Sequence, residues 1–160
     1  GIAACGGGDA PSGPDAAEVD ADITTCRLET VLAERIGGAD PMNCGHPLPG
    51  DEDVAFVAAH DCAVQAVTSE LDFVVVWDQQ GVDSRVASAY LGIHRGGAWE
   101  LEAFTYDGAP GGTGGENAPL TWRSSCASIE DLGDCGLDLR AELCLACVGR
   151  TDTIRCPIEE

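Results

Sequence analysis

Phe73-Val74-Val75-Val76-Trp77 is the stretch on which the fold turns. Three β-branched residues between two aromatics read as a strand, because such side chains pack well on a pleated, partly buried surface. Before it the pattern is helical. Val57, His60, Val64, Val67 and Leu71 recur at helical spacing and predict a helix running to about Leu71, with these residues lining one face. Pro49-Gly50-Asp51-Glu52-Asp53 supplies its start, with a capping Asp and acids that suit the positive end of the helix dipole. Further upstream, Leu28, Val31, Leu32 and Ile36 predict a shorter helix over 23–36, stopped by Gly37-Gly38. The segment from Ala39 to Gly50 holds three Pro and two Gly and reads as a loop.

After Trp77 the period stays near two. Gln79 to Asp83 makes a turn, and the run from Arg85 to Ile93 sets Val86, Ser88, Tyr90 and Gly92 on one side. Gly96-Gly97 marks the next turn. Trp99, Leu101 and Ala103 then alternate with Glu100, Glu102 and Phe104, which predicts a half-exposed strand. Tyr106 to Ala118 is a Gly-rich hairpin loop, Leu120 to Ser125 a further strand, and Thr153 to Arg155 a short last one. The expected class is α+β, with one or two helices on a four- to five-stranded antiparallel sheet. This order resembles cystatin-like folds, in which a helix packs on a curved sheet.

Composition narrows the function. The chain has 160 residues, 28 acidic against 8 basic, and a formal net charge of -20. Every base is Arg; there is no Lys. A large positive surface cannot be built, so nucleic acid is excluded as a partner. Schiff-base enzymes and phosphate loops need a Lys and are excluded as well. No apolar run is long enough to span a bilayer.

The N-terminal residues Ile2-Ala3-Ala4-Cys5, followed by Gly6-Gly7-Gly8, resemble the lipobox of bacterial lipoproteins. The resemblance implies that Cys5 is lipidated and becomes the mature N-terminus, and that the membrane is reached through this lipid. Gly6 rather than Asp after the Cys implies, by similarity to Gram-negative lipoproteins, the outer membrane or cell surface. Gly6 to Asp22 carries five acids, no base, and many Gly and Pro. It reads as a tether, because it cannot bury enough apolar surface to offset its ordering entropy. The expected organisation is a lipobox and acidic tether over 1–22 and one domain over 23–160. The lysine-free composition, rich in Ala, Gly and Asp, resembles the small Cys-rich lipoproteins of high-GC bacteria.

Cys26, Cys44, Cys62, Cys126, Cys135, Cys144, Cys147 and Cys156 remain. An even set in an exported domain reads as a disulfide framework, with pairing left open. Three precede the strand region and five follow it, so full pairing requires a bridge between the two parts. Cys135, Cys144, Cys147 and Cys156 also admit a four-thiolate zinc site, and Cys144-Leu145-Ala146-Cys147 a redox motif. Gly149 argues against the helix the redox motif wants.

Chemistry-bearing residues are scattered. His60 lies on the apolar helix face beside Asp61, two positions that point to different faces. His46 and His94 sit apart. Gly81-Val82-Asp83-Ser84-Arg85 puts Arg85 beside a turn as a binding anchor. Within the Gly-rich loop, Asp107, Glu116 and Asn117 are the calcium candidates, since the segment resembles the Gly-rich calcium turns of repeat toxins. Glu100 and Glu102 read as a solvated strand edge, with Phe104 and Tyr106 as exposed contact aromatics on the same face. The expected function is therefore a non-catalytic binding or structural module, with a protein, glycan or cation partner and no cofactor beyond calcium. A secreted metal-assisted hydrolase and a cystatin-like inhibitor are the alternatives.

Overall fold

The computed structural model describes residues 25–112, 114–133, 135 and 139–157. The lipobox, Cys5 and the tether lie outside them. The elements are α1 (Leu28–Ile36), β1 (Met42–Asn43), α2 (Asp53–Thr68), β2 (Phe73–Gln79), β3 (Val86–Arg95), β4 (Ala98–Asp107), β5 (Leu120–Cys126), β6 (Ser128–Asp131), α3 (Leu139–Glu142), β7 (Leu145–Val148) and β8 (Thr151–Cys156). The class is α+β. Six strands form one sheet in the order β1-β2-β3-β4-β5-β8, and β6 pairs with β7 in a separate hairpin. β1 runs parallel to β2, and every other neighbouring pair is antiparallel. No helix among the described residues is long and apolar enough to cross a membrane.

Phe73 to Trp77 are covered on both faces. Phe73, Val75 and Trp77 join Phe56, Ala59, Ala63 and Ala66 of α2, together with Tyr90, Leu101 and Ala103. Val74 and Val76 pack on the opposite cluster, which contains Leu28, Val31 and Leu32 of α1 with Ala87, Ala89, Leu91, Ile93, Phe104 and Tyr106. Helices therefore cover both faces of a six-stranded mixed sheet. This replaces the expected four or five antiparallel strands, and the cystatin-like layout of helix on one face is not reproduced. β1 escapes the sequence pattern because two residues carry no period.

Both faces of β4 are covered over Leu101–Phe104, so its expected half exposure is corrected there, while Ala98, Glu100 and Thr105 stay exposed. Phe104 and Tyr106 are core residues, 2% and 0% exposed, and Glu102 is 2% exposed. The buried face of α2 is also rotated from the expected one. Phe56, Ala59, Ala63 and Ala66 face the sheet, while Val57 and Leu71 are exposed. Three Ala side chains let the helix lie close against the sheet, and Phe73 and Trp77 from β2 fill the volume. Asp51 does not cap α2. Its carboxylate accepts the Leu48 N–H at 2.8 Å, and Glu52 at the N-cap makes no side-chain capping bond.

Gly96 and Gly97 both have positive φ (57° and 86°), the backbone a tight β3–β4 hairpin needs. All eight domain cysteines are bridged: Cys26–Cys156, Cys44–Cys62, Cys126–Cys147 and Cys135–Cys144, with Cα–Cα separations of 5.3, 5.4, 5.4 and 5.7 Å. Cys26–Cys156 and Cys44–Cys62 anchor the chain start and the β1 loop. The other two fix the β6–α3–β7 lobe. The zinc and redox readings are thereby corrected, since Cys144 and Cys147 belong to different bridges and no four cysteines converge.

Candidate functional site

Strand alternation builds one side of a cleft. Trp77, Ser88, Thr105, Trp122 and Arg155 are in register across β2, β3, β4, β5 and β8, and so share the α2-side face of the sheet. The lobe closes over part of this row. Ala141 accepts hydrogen bonds from Trp77 Nε1, at 3.1 Å, and from the Gln79 side-chain amide. Tyr90 donates its hydroxyl to Leu145 O at 3.3 Å. Between lobe and sheet lies a cleft of about 340 Å³, at the small end of ligand pockets. Its polar lining includes Ser88, Thr105, Glu142 and Arg150.

The floor of the cleft is aromatic. Trp77 and Tyr90 stand 5.3 Å apart between ring centroids, tilted by 39°. Burial raises the Tyr90 phenol above its ordinary pKa, and Arg150 opposes that shift, which places its charge near the ring. Ser88 and Thr105 sit directly opposite each other on β3 and β4. Among the described residues neither hydroxyl has a hydrogen-bond partner, and Arg150 has no ion-pair partner. A wider groove of about 640 Å³ runs between the end of α2 and β5–β6, but its charged lining residues are only Glu70 and Glu100.

A second cluster gathers sequence-distant residues around Arg85. Its Nε donates to Asp78 Oδ2 at 2.8 Å and its Nη2 to Asp78 Oδ1 at 3.1 Å. Nη1 reaches Glu29 of α1, and Glu116 at 3.5 Å. Tyr106 lies under the guanidinium, 5.4 Å from its ring centroid, and donates its hydroxyl to Glu116 at 2.8 Å. His46 Nε2 completes the group at 2.6 Å from Asp78 Oδ1. Burial alone would raise the Asp78 pKa, but the hydrogen bonds from Arg85 and His46 outweigh it and hold the carboxylate below its ordinary value. Arg85 thus ties α1, β2 and the Gly-rich loop together. Its charge is spent on internal carboxylates, which makes it a staple of the fold.

Each calcium candidate has a partner of its own. The Asp107 carboxylate accepts from Ser84 Oγ at 2.7 Å and from Ala109 N at 2.9 Å. Glu116 faces Tyr106 and Arg85, and Asn117 has a partner of its own. Among the described residues no group of three or more His, Cys, Asp or Glu is arranged to hold a metal ion. The loop itself folds back on the turn: Gly115 donates to Asp83 O, and Ala118 to Gly108 O, both at 3.0 Å.

His60 differs from its expected isolation. Nδ1 is 2.9 Å from Asp61 Oδ1, and Nε2 is 3.0 Å from Asp131 Oδ1 on β6. Neighbours on a helix can still meet when one side chain bends along the surface. Burial would lower the imidazole pKa, but the hydrogen bonds to Asp61 and Asp131 outweigh it and raise it. Both ring nitrogens face carboxylates, so the imidazolium form is favoured and serves as a clamp between α2 and the lobe. His94 likewise meets Asp72 at 2.7 Å.

Ser88 was visible on the Tyr90 side of its strand from alternation alone. Arg150 and Glu142 had no signal, because disulfide pairing sets where the lobe sits. No protein-family model, no curated protein and no solved structure matches the chain.

Proposed function

We propose that the chain is an exported binding module of the Gram-negative cell envelope, lipid-anchored at Cys5 and non-catalytic. The observation that carries the proposal is the cysteine bookkeeping. Eight cysteines are paired among themselves in four bridges, as suits an oxidising compartment, so Cys5 is left over at the position the lipobox requires. The binding surface is the cleft beneath the lobe. It is concave, floored by aromatic rings and edged by a few polar groups, as small-ligand sites are. Ser84, Arg85 and the three His are engaged by acidic side chains that position structure.

Mass spectrometry of full-length protein from isolated membranes tests the anchor. The expected N-terminus is an acylated Cys5, with the other eight cysteines resistant to alkylation until reduced. An unmodified Cys5, or free thiols among the eight, refutes it. The His60–Asp61–Asp131 group is the observation that favours a hydrolase. That reading requires turnover of ester, peptide or glycoside substrates that His60→Asn abolishes while the fold survives.

A further inference from the structure

Resting on the cleft as the binding surface, we propose that its ligand is an acidic saccharide: a sugar whose ring hydroxyls meet Ser88 and Thr105 and whose anionic group meets Arg150. Ser88 and Thr105 set two hydroxyls into the lining of the cleft. They lie on the sheet face beside the apolar Val75, Trp77, Tyr90, Leu101 and Ala103. Each can donate one hydrogen bond and accept two, so a ligand bearing hydroxyls satisfies both. An apolar ligand would cover them and leave both without a partner.

A peptide fits the cleft less well. Extended peptides bind by adding backbone hydrogen bonds at a sheet edge. The strands under the cleft are β2, β3 and β4, each with a bonded neighbour on both sides, so their backbone groups are already committed. Recognition here must run through side chains. Trp77 and Tyr90, buried at 3% and 6% exposure, back the cleft as a fixed wall, so a sugar meets it chiefly through the polar groups at its edge. The volume, about 340 Å³, suits one or two rings.

Charge selects the acidic class. Arg150 is exposed at the cleft and has no carboxylate bound to it among the described residues. Its planar fork fits a carboxylate or sulfate bidentately. Glu142 lines the same cleft, so the guanidinium and the carboxylate together orient a ligand with one acidic end and one hydroxyl end. The only charged residues lining the wider groove are Glu70 and Glu100, which repel an anion.

Titration of the intact protein, followed by amide NMR and calorimetry, tests this with four probes: digalacturonate, its neutral digalactose counterpart, a sulfated disaccharide and acetyl-Ala-Ala. One of the two acidic sugars is expected to shift the amides of Ser88, Thr105 and Arg150, and to bind at least about tenfold more tightly than digalactose, the value of one charge-assisted hydrogen bond. Arg150→Gln is expected to bring the acidic-to-neutral ratio to about one, and Thr105→Val to weaken both sugars alike, with unchanged circular dichroism. Digalacturonate over the sulfated probe identifies a carboxylate, and the reverse order a sulfate. Equal binding of digalactose overturns the acidic class. Binding of acetyl-Ala-Ala at these residues overturns the saccharide and leaves the cleft as the binding surface. No shift with any probe at millimolar concentration overturns the inference, while the state of Cys5 still decides the anchored-module reading independently.

Discussion

Glu102→Gln is the substitution that asks most of this fold. Glu102 is 2% exposed on the α1 side of β4, inside a strand whose other members are largely apolar. Three guanidiniums reach its carboxylate. Arg35 of α1 donates through Nε at 3.1 Å and Nη2 at 2.5 Å, Arg123 of β5 through Nη1 at 2.8 Å, and Arg95 of β3 through Nη2 at 3.4 Å. Arg95 also holds the α1 carbonyl of Arg35 at 2.6 Å. Without this carboxylate α1 loses its charged tether to the sheet, and three cations face a neutral amide that offers one acceptor atom instead of two.

Removing one member of a buried ionic group costs about 3–5 kcal/mol, because the partners stay desolvated. The Arg side chains keep 32%, 26% and 18% exposure, so water recovers part of that loss. The lower end, about 3 kcal/mol, is the expected cost. Glu100→Gln is the internal comparison. Among the described residues the Glu100 carboxylate is hydrogen-bonded only to Arg95, at 2.6 Å, and is 45% exposed, so its loss should cost under about 1 kcal/mol. Urea unfolding with the disulfides intact reads both. The pH dependence adds a sign. Burial would raise the Glu102 pKa, but Arg35, Arg95 and Arg123 outweigh it and lower it. Its stabilisation is therefore present above the ordinary Glu value, about 4.3, and is lost as pH falls through the folded value. The gap between wild type and Glu102→Gln should close towards acid. Equal costs for the two substitutions at neutral pH would refute the reasoning.

Three further outcomes follow from the geometry. His60 should titrate above its ordinary value of about 6.5, and Asp131→Asn should bring it down, as read by imidazole NMR. Its stabilisation is present below the ordinary value and lost as pH rises through the folded one, so a value at or below the ordinary one breaks the clamp argument. Replacing both Cys26 and Cys156 by Ser removes a bridge spanning 130 residues and should cost about 5 kcal/mol, against about 2.5 for Cys135 and Cys144, which span 9; urea midpoints rank the two. Gly92→Ala should cost about 1–3 kcal/mol, since an added Cβ would lie 2.5 Å from the Phe73 ring; thermal unfolding unchanged by the substitution would show that the ring is free to move.

The antiparallel ladder β2 to β5 was legible because alternation and Gly-rich turns are local. The same locality explains the misses. β1, β6, β7 and α3 have two to four residues each, too few for any period, and they exist because larger elements and two disulfides hold them. The buried face of α2 was misread because Ala59, Ala63 and Ala66 give a weaker hydrophobic signal than the valines beside them. Glu102 was read as solvated because polarity usually means exposure. Its three partners lie at 35, 95 and 123, and no spacing rule joins such positions. Of the candidate cleft, Ser88 could be placed on the Tyr90 side in advance. The lobe that makes it a cleft could not.

The few cations explain how so acidic a chain stays compact. Self-repulsion at a net charge of -20 opposes folding, and a lysine-free chain must counter it with Arg alone. Arg suits the task, being always charged and able to bond two carboxylate oxygens at once. Arg35, Arg95 and Arg123 converge on Glu102; Arg85 joins Asp78, Glu29 and Glu116; Arg140 holds Asp53 with the Pro49 and Asp51 carbonyls and lies over the Phe56 ring. Each grouping joins elements that are remote in sequence, so each cation acts as a cross-link between layers. A guanidinium is thus a scarce structural resource in this molecule. Among the described residues Arg27 and Arg150 carry no carboxylate partner; Arg27 Nε is buried, whereas Arg150 is exposed at the mouth of a polar cleft, where a ligand can reach it.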